Sequence, residues 1–226
     1  MVNVTESLIN INGESVQTLE VLFLTTVITL LPSILVMTTS FTRYIISFSF
    51  LRTAMGTQQT PPNTVLIGIA LFLTLFTMGP TFNTIKTEAY DPYVAEEITQ
   101  EQFFERAQVP MKDFMIRNTK TNTLKMFCDL ADVDMPETIS VQTIRDLPIR
   151  IIVPAFMTCE LQRAFEIGFL LYLPFMLIDI VVSSTLMSMG MIMLPPSMIS
   201  MPFKLLLFVS LNGWDLLFSS LVQGFN

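Results

Sequence analysis

Two aspartates stand where charge is costly. Asp179 falls in the apolar stretch Phe169 to Leu186, and Asp215 in the stretch Phe203 to Val222. Ionisable side chains in such stretches are rare, and they face a partner or a watery cavity rather than lipid. Two chemistries fit them: an ion pair or interhelical hydrogen bond within a helical bundle, or a proton relay. Glu160, Arg163 and Glu166 are spaced by three, so on a helix they are neighbours, and Arg163 can pair with both carboxylates. Arg43 and Arg52 project from opposite sides of a helix, so each needs its own partner or an aqueous end. The sequence has no histidine and two cysteines. That excludes the common histidine-based metal sites and any Ser-His-Asp or Cys-His arrangement. The expectation is therefore no catalytic set, no metal and no cofactor. Cys128 lies in a polar segment and Cys159 at the edge of an apolar one, and they are expected to stay unpaired.

A second group is chemically softer. In Leu186 to Pro196, four methionines (Met187, Met189, Met191 and Met193) occupy every second position around Gly190, and Pro195-Pro196 closes the run. Alternation by two is not a helix period, so the run is expected to be a turn or loop between apolar helices. Methionine is unbranched and polarizable, suited either to filling gaps or to a surface that must reshape around different contacts. Composition alone favours the filler.

The elements that carry these residues are helices. Half of the 226 residues are hydrophobic, 14% are charged, and the mean hydropathy is +0.60, too apolar for an ordinary soluble domain. The stretch from Glu20 to Arg43 is long enough to cross a hydrocarbon core of about 20 residues, with a kink expected at Pro32. Thr64 to Phe82 is a second spanning candidate, bent near Gly79-Pro80. Between them, Gly56 to Asn63 is a polar hairpin turn containing Gln58, Gln59, Pro61 and Pro62, with Thr60-Pro61 read as an N-cap and first-turn proline. Of the 31 charges, 20 lie between Lys86 and Arg150. This insert reads as helical: Asp91-Pro92 opens a helix and Thr99 with Gln102 forms a capping box. An apolar face is expected from Phe103, Phe104, Met111, Phe114, Met115, Leu124, Phe127 and Leu130, then a loop at Asp129 to Pro136 and a short helix at Ser140 to Asp146. A core of this size is marginal alone, so the insert should pack against copies of itself or a partner. Beyond it, Pro174 should interrupt the apolar stretch.

The class is therefore all-α, with membrane-associated hairpins of long, kinked apolar helices. Four parts are expected: a polar tail (1–18), a first apolar hairpin (19–85), the polar insert (86–150) and a second apolar hairpin with the methionine loop (151–226). The tail has no basic residue and lacks the positive region of a secretory signal peptide, so either the chain is mature or its first apolar helix directs insertion. Arg43, Arg52 and Lys204 are the short-loop cations, which would place both hairpin tips in the cytoplasm and the insert outside. The net charge of −7 mostly describes the insert, and no basic stripe offers itself to nucleic acid.

Four stretches carry a family resemblance: Leu31-Pro32-Ser33 through Phe41-Thr42-Arg43 to Phe50-Leu51-Arg52-Thr53-Ala54; Gly56 to Asn63; Pro154-Ala155-Phe156 through Glu160-Leu161 and Ala164-Phe165 to Ile167-Gly168-Phe169; and Pro174-Phe175 through Ile178-Asp179 to the methionine run. Together they resemble the FliP/SctR family of type III secretion export-gate proteins, in its flagellar branch. Cys159 stands where that family often has serine. The resemblance implies a protein-conducting gate of the bacterial inner membrane at the flagellar basal body, not an enzyme. It implies a ring of five subunits assembled with FliQ and FliR into a helical cone, other export-apparatus and basal-body proteins nearby, and unfolded flagellar proteins as cargo. It further implies that apolar runs read as spans are buried between subunits, which suits Arg43, Arg52, Asp179 and Asp215. It places Met187, Met189, Gly190, Met191 and Met193 inside the pore as a gasket. The alternatives are a small-solute secondary transporter or channel using Asp179 and Asp215, and a membrane enzyme built on the same two aspartates.

Overall fold

Glycine and proline mark several of the helix ends, and threonine hydroxyls bond back to helix carbonyls. The structure, a computed structural model, describes residues 8–11, 14–57, 59–135, 145–191 and 193–225. The chain divides into two units, residues 1–37 and 38–226.

In the first unit the tail forms an antiparallel two-stranded ribbon, β1 (Leu8–Ile11) and β2 (Glu14–Gln17), with Leu8 opposite Gln17. Among the described residues this ribbon holds the only strands. It leads into α1 (Thr18–Thr38), which continues through Pro32. The hydroxyls of Thr25, Thr26 and Thr29 donate to the carbonyls of Val21, Leu22 and Thr25 at 2.7–2.9 Å. This back-bonding satisfies the polar groups internally, while Leu22, Leu24, Ile28 and Leu31 stay exposed.

The second unit begins with α2 (Phe41–Met55), stopped by Gly56 in the left-handed region at φ +76°, where a Cβ would be strained. The following turn corrects one expectation. Thr60-Pro61 is a cis peptide inside the turn, and α3 (Asn63–Thr77) starts only after Pro62, which takes the cap position. Met78 separates α3 from α4 (Gly79–Ile85), where Pro80 sits in the first turn, and the helical path bends there by 61°. A π-helical turn at Lys86–Tyr90 opens the insert, and Asp91-Pro92 starts α5 (Asp91–Val94) as expected.

The insert's main helix, α6 (Gln100–Arg117), carries the expected capping box: Gln102 N donates to Thr99 Oγ1 at 3.3 Å and Thr99 N to Gln102 Oε1 at 3.1 Å. The next helix, α7 (Thr121–Leu130), continues two residues into the expected loop. Pro136 and residues 140–144, with most of the short helix expected there, lie outside the described residues. Then α8 (Ile149–Ser188) runs for 40 residues straight through Pro154 and Pro174, so Pro174 does not end it. Its partner α9 (Pro196–Ser210) meets α10 (Gly213–Gln223) at a 65° bend, where Asn212 adopts φ +48°. The expected last segment is thus two helices.

One helix, α8, is long and apolar enough to cross a membrane, and there are up to four spans if bent pairs are counted as one. Two hydrophobic cores hold the second unit together. One joins Phe114, Met115, Leu124 and Cys128 of the insert to Ile151, Ile152, Ala155 and Phe156 of α8. The insert therefore completes its core on its own chain's long helix, and Phe104 and Leu130 of the expected apolar face are exposed. The other core joins Tyr44, Phe48 and Leu51 of α2 to Leu66 and Ala70 of α3, Phe175, Phe208, Leu217 and Leu221.

Candidate functional site

The methionine run straddles a helix end. Leu186, Met187 and Ser188 still belong to α8, which corrects the expectation that the whole run is non-helical, and Pro196 opens α9. Gly190 makes the stop. Its φ is +74°, its N–H donates to the Met187 carbonyl at 3.0 Å, and the Met191 N–H reaches back to Leu186 at 3.0 Å. These two bonds are the Schellman closure, which caps the last free carbonyls of a helix and needs a left-handed residue at the glycine position. Met187, Met189, Met191 and Met193 are all exposed, Met193 at 96%. Side chains so exposed fill no gap in this chain. Between the arms of the hairpin, Leu177, Val181, Thr185, Leu186, Ile199 and Phe203 line an apolar cleft of about 550 Å³.

Below the turn, Asp179 has two partners on α9. Lys204 Nζ lies 2.6 Å from Oδ2, and Ser200 Oγ donates to Oδ1 at 2.6 Å. The same ammonium donates to the Ala54 carbonyl at 3.0 Å, near the end of α2. Lys204 is buried and in mid-helix. It is no loop cation, so its contribution to the orientation argument falls away. Sequence reasoning missed this pair and Ser200. Asp179 and Lys204 stand at almost equal distances either side of the Gly190-Met191 turn, and that symmetry on a hairpin is the signal that predicts their meeting.

A second cluster lies where α2 crosses α8. Arg43 and Glu160 are both buried and pair through two parallel hydrogen bonds, Nε to Oε2 at 2.7 Å and Nη2 to Oε1 at 2.5 Å. Such a fork is the strong form of the interaction. Arg163 stands 3.6 Å from Glu160 and donates to Asn118 Oδ1 at 3.4 Å. Glu166 instead receives Gln162 at 2.9 Å, with Lys120 at 3.9 Å. The expected Arg163 bridge to both carboxylates is thus half made, and Glu160's principal partner is a residue 117 positions away. Arg52 donates to Asn63 Oδ1 at 2.5 Å across the first hairpin turn, well apart from Arg43's partners. Gln59 and Pro62 are exposed in that turn, Pro61 is half-buried, and Gln58 lies outside the described residues.

The two aspartates of the apolar stretches are not brought together. Asp215 is exposed in the first turn of α10, where a carboxylate suits the positive helix end, and it shares neither Ser200 nor Lys204. In the insert, Arg145 forks onto Asp113, whose hydrogen bond pushes the guanidinium further above its already high value, and Lys112 Nζ donates to the Arg145 and Leu147 carbonyls at 3.1 Å. Cys128 and Cys159 are both buried and free. Burial pushes the Cys128 thiol up, with Asp129 adding to the effect, and Cys159 Sγ accepts the Lys120 N–H at 3.3 Å.

A long apolar helix ending in an exposed methionine turn, with two interhelical charge clusters beneath it, can now be set beside known proteins. The profile described as "FliP family" matches residues 24–221. The chain belongs to the FliP family. Three relatives carry the name flagellar biosynthetic protein FliP. That of Aquifex aeolicus is 48% identical over 213 residues, 94% of this chain and 88% of the relative. That of Bacillus subtilis is 48% identical over 208 residues, 92% of each chain. That of Caulobacter vibrioides is 45% identical over 225 residues, 97% of this chain and 83% of the relative. The FliP-family match spans both charge clusters and the methionine turn.

Proposed function

We propose that this protein is a pore-forming subunit of the flagellar type III protein export gate in the bacterial inner membrane, and that its methionine turn closes the pore. The observation that carries this reading is the exposure of Met187, Met189, Met191 and Met193 at a helix end capped through Gly190. A ring of such ends from several copies would crowd soft apolar side chains into one constriction. Apolar constrictions bar ions by dewetting, and methionine repacks around varied chains without a fixed shape. The exposed apolar surface of α1 and of the outer half of α8 fits lipid or neighbouring subunits. In this reading the chain works as a conduit rather than an enzyme. It assembles as a homo-oligomer of five with FliQ and FliR and with other basal-body proteins, passes unfolded flagellar proteins, and holds its insert on the extracytoplasmic side.

The test is deletion of Met187 to Met193 in cells. The complex should still assemble, and the cells should leak ions or small molecules. A tight membrane after deletion sinks the gasket. Native mass of the protein purified with its co-expressed neighbours tests the assembly separately, and a lone monomer or dimer would favour a small-solute transporter.

A further inference from the structure

One side chain joins the two hydrophobic cores. Phe225, just beyond α10, packs against both the core shared by the insert and α8 and the core of the hairpins; among the described residues no other does. Its ring lies 5.9 Å from Phe114 of the insert, nearly parallel to it, and 5.7 Å from Tyr44 of α2. The Arg43 guanidinium sits over its face, 3.3 Å from the centroid, and Arg43 Nη1 donates to the Gly224 carbonyl at 2.9 Å. Arg43 thus meets three groups at once. Glu160 takes its fork, Gly224 takes one N–H, and Phe225 takes the flat face, where a desolvated cation is attracted by the ring quadrupole. From Glu160 the contacts continue through Arg163 to Asn118, at the end of α6. Beside this chain of contacts lies a polar cleft of about 660 Å³ between α4, the insert and α8, with Phe114, Gly224 and Phe225 among its walls.

We infer that Gly224-Phe225 is a clasp: through Arg43 it locks the insert onto the hairpins, and its release frees the insert to pivot about the start of α8 and widen the cleft. Arg43 and Phe225 are positioning residues for the insert, and they act whether or not the methionine turn is a gate. The geometry separates a clasp from simple filler. A filler needs only apolar volume. The clasp needs an aromatic face under a guanidinium, so tyrosine should serve and leucine should not.

Hydrogen exchange by mass spectrometry on the full chain in detergent tests this, with Phe225→Ala, Phe225→Leu and Phe225→Tyr. In the Ala and Leu variants, peptides covering 114–118 and 159–163 should exchange roughly 10-fold faster or more, with peptides covering 200–210 unchanged. Phe225→Tyr should match the natural chain. Arg43→Lys, which keeps the charge and loses the fork, should show the same local acceleration. The inference is overturned if Leu protects as well as Phe, if Ala changes nothing, or if acceleration reaches 200–210 equally. Should the Ala variant not accumulate, the Leu and Tyr variants carry the same comparison with a much smaller loss of volume.

Discussion

The two halves of α8 belong to one unbroken helix and live in different surroundings. From Ile151 to Gly168 the helix buries a continuous stripe: Ile151, Ile152, Ala155, Phe156, Cys159, Glu160, Ala164 and Gly168. At Gly168 the backbone of α8 passes so close to the Phe50 ring that a Cβ would collide with it. From Phe169 to Ser188 only Phe175, Val182 and Leu186 are buried, while Phe169, Leu170, Leu177, Ile180 and Val181 are exposed. Each half carries an acidic residue whose close partner is a cation on another helix. Glu160 is fully enclosed with Arg43, whereas the Asp179 side chain stays 36% exposed beside Lys204. The first half is the interior of this chain. The second is a surface whose covering, whether lipid or another subunit, comes from outside it. A buried pair is thus a condition of folding in the first half and an adjustable tie between hairpin arms in the second.

The largest effect should come from Arg43→Ala or Glu160→Ala. Each strands a buried charge, which costs about 3–5 kcal/mol, enough to lower the melting temperature in detergent by about 10 °C. A variant that melts like the natural chain would show that this half is not dry. Asp179→Asn should cost less, about 2 kcal/mol, because the carboxylate is partly wet and the buried Lys204 ammonium it leaves keeps the Ala54 carbonyl. A loss equal to that of Glu160→Ala would erase the contrast between the halves.

Gly190→Ala should cost about 1 kcal/mol through its left-handed backbone alone, since no atom lies within 4 Å of the added Cβ. Met193→Ala should leave the melt unchanged, because the side chain is almost wholly exposed. A shift in the isolated chain would mean that the turn packs where the structure leaves it open. A further effect, seen only as pH rises, concerns the enclosed core. The Cys128 thiol is held above its ordinary value in the folded chain, so its stabilising contribution is full below the thiol's unfolded value and is lost as pH rises through the folded one. Alkylation of Cys128 at pH 8 should be much slower than that of an unfolded-chain thiol, and stability should fall from pH 8 to pH 10 more than in a Cys128→Ala variant.

Much was legible in the sequence because it depends on neighbours along the chain. The capping box at Thr99, the bend at Gly79-Pro80, the helix start at Pro196 and the glycine in the methionine turn are local events that need no distant partner. Apolar length marked where helices lie but not where they break, since Phe203 to Val222 falls on two helices, and the resemblance was carried by short stretches now inside the region matched by the FliP family. Prolines misled in one direction. Pro174 reads as a break, yet α8 passes through it, because the helix continues on both sides and a single missing N–H is tolerated. What only the tertiary structure decided is which charges meet. Arg163 reads as the natural partner of Glu160 because i,i+3 neighbours are visible in a sequence, but burial selects the cation that can enclose the carboxylate bidentately, and that is Arg43 from another helix. Lys204 for Asp179 and Phe225 for Arg43 follow the same rule. A charge removed from water takes the partner the packing brings to it, and packing is a property of the whole chain.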